Sequence, residues 1–245
     1  MAQFSATDVY ASAESHFLAG KLEQARDELE AALQLDSNAG QLWELLGMVS
    51  YTQGDSSQAV DALEQASLLV PLANCSQYVL AVCYEKREQI DPAHAIYRHL
   101  ASLNELDDNL LEPVTRALGR CDDCEGALRV CRLAARRNPD CPEPLIGMVF
   151  YMRRLNRSSE QILPLLFRAF HLNPEDNDCR LILARTLHEC GRSDEAAYLL
   201  SYLAIEEFRC PNCLSAMEAI FNAAGDEENL ARCHVALKVI KEELL

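Results

Sequence analysis

Four alanines, Ala25, Ala59, Ala93 and Ala127, stand 34 residues apart along this chain, and that spacing constrains the fold more than any other feature. Four residues after each comes a larger apolar side chain: Leu29, Leu63, Tyr97 and Cys131. Three residues further on stand Ala32, Ala66, Leu100 and Ala134. Steps of four and seven residues place all three positions on one face of a helix. Pro71 and Pro139 follow twelve residues after their alanines, where a helix must stop, with Ser37 and Glu105 at the equivalent places. Beyond residue 139 the phase slips by one, and Ala169, Pro174, Ala196, Leu200, Leu203, Leu230 and Leu237 continue it. A period of this length is the mark of stacked helical hairpins, each too small to bury its apolar face alone.

Within the second period, apolar-periodic segments near 41–53 and 57–70 flank Gly54-Asp55, which reads as helix stop and turn. Gly20, Gly191 and Gly225 hold the same place in other periods. Eight positions into each first helix stand Ala13, Gly47, Ala81, Thr115, Val149 and Ala184, mostly small residues that let the second helix approach closely. Position by position, Trp43, Leu46, Gly47, Gly54, Ala59, Leu63, Ala66 and Pro71 resemble the tetratricopeptide repeat (TPR) motif. One departure is Ser50 at the motif's tyrosine position, with Tyr51 one residue late.

The resemblance runs over nearly the whole chain and implies units near 6–39, 40–73, 74–107, 108–141, 142–176, 177–210 and 211–245. The fifth carries an extra residue around 155–161 and lacks the small residue expected near 162. The seventh is a degenerate capping unit. The implied fold is all-α: a single right-handed α-α superhelical solenoid of about seven TPR hairpins over 1–245. An irregular all-α bundle is the rival.

Charge narrows the function classes. Lys and Arg number 22 against 38 Asp and Glu, a net charge of −16. Such a chain repels phosphate backbones and anionic bilayers as a whole, so neither nucleic acid nor membrane insertion is expected of it. The N-terminus shows neither the basic nor the apolar region of a signal peptide, and no stretch reaches the ~20 apolar residues of a membrane span. A cytoplasmic location follows as an expectation. Eleven cysteines, an odd count, fit reduced thiols in that setting.

Chemistry has few places to hide. Two Cys-x-x-Cys pairs occur, Cys121/Cys124 and Cys210/Cys213, separated by about two and a half repeats, or ~25 Å of stacked helices, too far to share one metal. Structural thiols are the simpler reading, and a redox role lacks the βαβ setting of thioredoxin-type pairs. The histidines 16, 94, 99, 171, 188 and 234 are scattered, and carboxylate runs such as Glu227-Glu228 read as solvated helix faces. No phosphate loop or nucleophile elbow is present. The expectation is a protein that is not an enzyme, with no cofactor and no metal.

Charge is also uneven: residues 1–106 carry 5 basic against 15 acidic groups, and residues 107–176 carry 10 against 11, the basic ones all arginine. In TPR proteins the first helix of each hairpin lines a concave groove. By that resemblance the peptide-binding groove is lined by Tyr10, Phe17, Met48, Tyr51, Tyr78 and Val82, then by Arg116, Arg120, Phe150, Arg153, Arg154, Arg185 and His188. Leu18, Leu45, Ile146 and Leu181 join them. Half of this aromatic set could equally be core between repeats, and the arginines could pair with the chain's own carboxylates. TPR domains that bind chaperone C-termini clamp a carboxylate with Lys and Asn, where this chain has Tyr10 and Glu14, so that role is disfavoured. The expected function is a protein-interaction scaffold holding a peptide or protein segment, with an acidic segment as the complementary ligand. The alternative is a structural homo-oligomer, joined through Leu230, Leu237, Ile240 and Leu244 exposed on the terminal helix.

Overall fold

A computed structural model describes residues 5–243, and among them the chain is all-helical. Fourteen α-helices follow in order: α1 Ala6–Leu18, α2 Leu22–Leu35, α3 Gly40–Thr52, α4 Ser56–Leu69, α5 Asn74–Lys86, α6 Ile90–Ser102 and α7 Asp108–Arg120. Then come α8 Cys124–Arg137, α9 Glu143–Arg154, α10 Ser159–Leu172, α11 Asn177–Glu189, α12 Ser193–Leu200, α13 Pro211–Ala224 and α14 Glu227–Glu243. A short 3-10 turn, Ile205–Glu207, precedes α13. First helices begin at 6, 40, 74, 108, 143, 177 and 211, within one residue of the unit starts expected from the period. The helices fall into two compact units, residues 1–130 and 131–245.

One turn geometry closes all seven hairpins. A backbone N–H reaches back five residues at 2.9 Å in every case: Lys21 to His16, Asp55 to Ser50, Gln89 to Tyr84, Asp123 to Leu118, Arg157 to Met152, Arg192 to Leu187, and Asp226 to Phe221. Such a bond requires a left-handed residue just before its donor. Four of those residues are the glycines seen in the sequence, Gly20, Gly54, Gly191 and Gly225, at φ between 71° and 87°. The other three are Glu88, Asp122 and Asn156, at φ 60°, 59° and 53°. They continue the spacing without the glycine signature, which is why the sequence showed only four turns. The extra residue of the fifth unit lies just after Asn156, between α9 and α10.

Glu88 has the least excuse for this backbone, because left-handed conformation costs a residue with a Cβ ~1–2 kcal/mol. Glu88→Gly removes that strain and gives back ~0.5–1 kcal/mol in unfolded-chain entropy. The expected outcome is a net stabilisation of about 0.5–1 kcal/mol, read as a higher urea midpoint. A lowered midpoint would contradict the turn geometry.

The core follows the alanine register. In the first unit Ala13, Ala25, Leu29, Ala32, Leu33, Leu42, Leu45, Leu46, Val49 and Ala62 form one buried cluster, and Ala59, Val60, Leu63, Val79, Leu80 and Cys83 form the next. In the second, Leu145, Ala169 and Cys179 are buried beneath Ile146, Met148, Leu165 and Phe170. Ile162, where the small residue was missing, is itself buried, and so is Val149 at the small-residue position of the first helix. That hairpin therefore buries two branched side chains at the positions where the α3–α4 hairpin has Gly47 and Ala59.

The terminal helix departs from expectation. Ile240 is buried, and Leu230 and Leu237 are half-buried, because they face α13 and the turn before it rather than solvent. The exposed apolar residues of α14 are Val235 and Val239 instead. Leu244 lies outside the described residues, as do residues 1–4.

Candidate interaction surface

In the first unit, α1, α3, α5 and α7 pack side by side, α1 on α3, α3 on α5 and α5 on α7. This puts the residues expected to line the groove in successive repeats of that unit on one row of first helices. Tyr10 is half-buried and its hydroxyl donates to Glu14 at 3.3 Å. Burial and that carboxylate push its phenol above the usual range. Phe17 leans on the first core cluster, and Met48 and Tyr51 lean on the second. Lys86 Nζ stands 5.0 Å from the centre of the Tyr51 ring. Tyr78 lies 5.9 Å from the buried Tyr97 ring, and Val82 is half-buried on the same helix. Leu18 is exposed, whereas Leu45 is buried in the core cluster that α3 shares with α1 and α2.

Arg120 is held by the chain itself. Its guanidinium donates to both oxygens of Glu85, at 3.4 and 2.8 Å, from α7 to α5. The Tyr97 hydroxyl donates to the same carboxylate at 2.7 Å. Hydrogen bonding to Glu85 raises the already basic Arg120, outweighing its partial burial. Arg116, by contrast, is two-thirds exposed, with Glu112 one turn away at 3.5 Å.

The second unit repeats the pattern on α9 and α11. Arg153 donates to both oxygens of Glu189 at 3.2 Å and to Thr186 Oγ1 at 2.7 Å, and Ser159 Oγ donates to the same carboxylate at 2.6 Å. Burial alone would raise the Glu189 pKa, yet these donors and the charges of Arg153 and Arg185 carry it below the usual carboxylate range. Phe150 is exposed, packs edge-on to Tyr151 at 5.0 Å, and lies beneath the Arg154 guanidinium at 6.0 Å. Arg185 is exposed on α11, and His188 Nδ1 is 2.9 Å from Ser193 Oγ. Ile146 is half-buried, and Leu181 is buried.

None of the thirteen residues expected to line the groove is fully buried. The structure brings Tyr51, Tyr78, Arg116 and Arg120 together on the first unit, and Arg153 with α11 on the second. Sequence reasoning missed the acceptors. Glu85 and Glu189 stand 35 and 36 residues from their arginines, one repeat away, and that offset was the available signal. It also missed aromatics on and just after the second helices: Tyr198 of α12 and Tyr202 beyond its end pair edge-to-face at 5.3 Å, and Phe167 of α10 lies under Arg192 at 5.7 Å. Among the described residues no group of three or more His, Cys, Asp or Glu is placed to hold a metal ion, and no helix is long and apolar enough to cross a membrane.

The pairing makes a stability prediction. Arg153→Glu would set two carboxylates against each other across α9 and α11, and is expected to cost about 1–2 kcal/mol at neutral pH. Because Glu189 is an acid whose folded pKa is depressed, its contribution exists above the ordinary carboxylate range and is lost as pH falls through its folded pKa. The difference between wild type and variant in urea unfolding should therefore shrink on acidification. A difference independent of pH would remove the ion pair from the account.

Residues 10–78 match the family model described as tetratricopeptide repeat. No curated protein sequence matches the chain. Among solved structures, YrrB, a TPR protein with an unusual peptide-binding site, is similar over 76% of this chain and 92% of its own, with 21% identity and a TM-score of 0.57. The C-terminal part of a TPR repeat-containing protein from Cytophaga hutchinsonii covers 94% of this chain and 93% of its own, at 13% identity and TM-score 0.63. Naa15/Naa10 bound to HypK-THB is similar over 95% of this chain and 36% of the matched chain, at 12% identity and TM-score 0.71. At these identities the likeness concerns the fold: hairpins of the TPR solenoid type.

Proposed function

We propose a non-enzymatic, cytoplasmic interaction scaffold that holds a peptide or protein segment on the row of first helices, a reading supported by the tetratricopeptide-repeat match over residues 10–78 and by the hairpin fold. The observation that carries this reading is the α1–α3–α5–α7 face. It presents half-buried Tyr10, Tyr51 and Tyr78, and it ends at the exposed Arg116 and the tethered Arg120. Half-buried aromatics lose little rotamer freedom on binding, and a guanidinium holds carboxylates through paired hydrogen bonds. A segment with apolar side chains followed by acidic ones is the complementary ligand. Fold analogy to a peptide-binding TPR protein supports the class of function and leaves the partner to be identified.

Photo-crosslinking in native extract tests this reading. With p-benzoylphenylalanine in place of Tyr78 or Tyr51, crosslinks to a partner segment are expected. With it at the exposed Ser67 of α4, they are not. Equal capture from all three positions would remove the face as the site. Arg116→Glu should weaken the captured partner's binding, and wild-type affinity should fall as salt rises. Light scattering addresses self-association through Val235 and Val239: a monomer at high concentration sets the homo-oligomer aside.

A further inference from the structure

The two Cys-x-x-Cys pairs share a spacing and differ in everything else. Cys210 is the N-cap of α13, with an extended backbone at φ −96° and ψ 107°, and Pro211 opens the helix behind it. The backbone N–H of Cys213 donates to Cys210 Sγ at 3.3 Å, so the sulfur occupies the place of a capping oxygen. The same N–H also reaches the Cys210 carbonyl oxygen at 3.1 Å, so the sulfur shares that donor, and it sits at the positive end of a 14-residue helix, which favours negative charge on it. Cys210 is exposed, and Cys213 is half-buried one turn along. Cys121 instead caps the C-terminal end of α7, where its N–H bonds to Ala117 and the dipole disfavours a thiolate. Cys124 is buried at the start of α8, its Sγ 3.9 Å from Asp122 Oδ1.

We propose that Cys210 and Cys213 are a redox-active dithiol that closes to an intramolecular disulfide by exchange with low-molecular-weight disulfides of the glutathione class. The attacking group is Cys210, accessible and stabilised as thiolate. Its sulfur bonds to one sulfur of R–S–S–R and expels RS⁻. Cys213 then gives its proton to the released thiolate, and its sulfur attacks Cys210 Sγ, expelling the second RS⁻. The dithiol loses two electrons and two protons, and the small disulfide becomes two thiols. Positions i and i+3 at the start of a helix bring the two Cα atoms into the range a disulfide spans. The division of roles agrees with the local electrostatics. Hydrogen bonds from the Cys213 side chain and backbone lower the Cys210 pKa. Burial, then the neighbouring Cys210 sulfur, pushes Cys213 up to about 11, with Asp178 adding to the rise and Arg185 opposing it. This inference stands apart from the peptide-binding reading and survives its failure.

The experiment is a glutathione titration of the full chain near neutral pH, quenched with acid, alkylated and peptide-mapped by mass spectrometry. The expected result is a Cys210–Cys213 disulfide at ratios of oxidised to reduced glutathione that leave Cys121 and Cys124 as thiols. Cys213→Ser should accumulate glutathione on Cys210, and Cys210→Ser should abolish both products. Serine caps helices well, so circular dichroism should show helix content unchanged in Cys210→Ser. In the reduced protein, Cys210 should alkylate about tenfold faster than Cys121. A pair that stays reduced in fully oxidised glutathione would overturn the proposal. So would glutathione captured on Cys213 in preference to Cys210, or oxidation of Cys121/Cys124 first.

Discussion

Tyr97→Ala is expected to lower the stability of the chain by about 3–5 kcal/mol, the range for truncating a fully buried aromatic side chain. Tyr97 has no exposed surface, which makes it the largest of the fully buried side chains. Three losses coincide. The apolar ring leaves a cavity between α6 and α5. Tyr78 loses the ring it tilts against at 5.9 Å. Glu85 loses a donor at 2.7 Å and keeps Arg120. Since a domain holds together by ~5–15 kcal/mol, and a repeat array by contacts between neighbours, this variant should unfold at much lower urea concentration. Tyr97→Phe separates the contributions. It keeps the ring, removes only the hydroxyl, and should cost about 1 kcal/mol. If the two variants had equal midpoints, the hydroxyl rather than the packing would carry the effect.

Tyr97 also shows how far the sequence could be read. Its place in the period, four residues after Ala93, identified it as core. Nothing in a 34-residue period says that its polar end must be satisfied, or by which residue. That depended on α5, α6 and α7 meeting around Glu85, a contact between neighbouring repeats. The same division runs through the candidate site. Positions on the first helices were legible because periodicity sets which face a residue takes. The fate of each arginine was not, because it depends on a carboxylate one repeat away. Arg120 and Arg153 are tied down, while Arg116 and Arg185 remain exposed. Turns were half legible. Glycine marks a left-handed residue, but Glu88, Asp122 and Asn156 adopt the same conformation when the hairpin demands it. Cys210 escaped for another reason: a cysteine's role depends on which end of a helix it caps, and the motif alone does not say.

Gly47→Leu is the second large effect, with an expected cost of about 3 kcal/mol, the upper end for overpacking a well-filled core. Gly47 stands inside α3, where glycine is intrinsically worse than alanine by ~1 kcal/mol, so its presence needs a packing reason. The reason is distance. A Cβ built there would lie 2.5 Å from Leu63 Cγ and 2.8 Å from Cδ2, with the Ala59 carbonyl oxygen at 3.3 Å. The obstructing atom is the branch point of a side chain with no exposed surface, so it cannot simply swing aside. In Gly47→Ala the two effects oppose: ~1 kcal/mol gained in propensity against ~1–3 lost in overpacking. The clash should win, leaving a net loss of about 1 kcal/mol. A double-mutant cycle decides whether that contact is the cause. Leu63→Ala alone should cost ~2–5 kcal/mol by leaving a cavity. Combined with Gly47→Leu, the new side chain has the vacated space to enter, and the pair should cost clearly less than the sum. Strict additivity in urea unfolding would mean that α3 and α4 do not meet at Gly47 and Leu63, and the close approach built on the alanine register would fail in its best-formed hairpin.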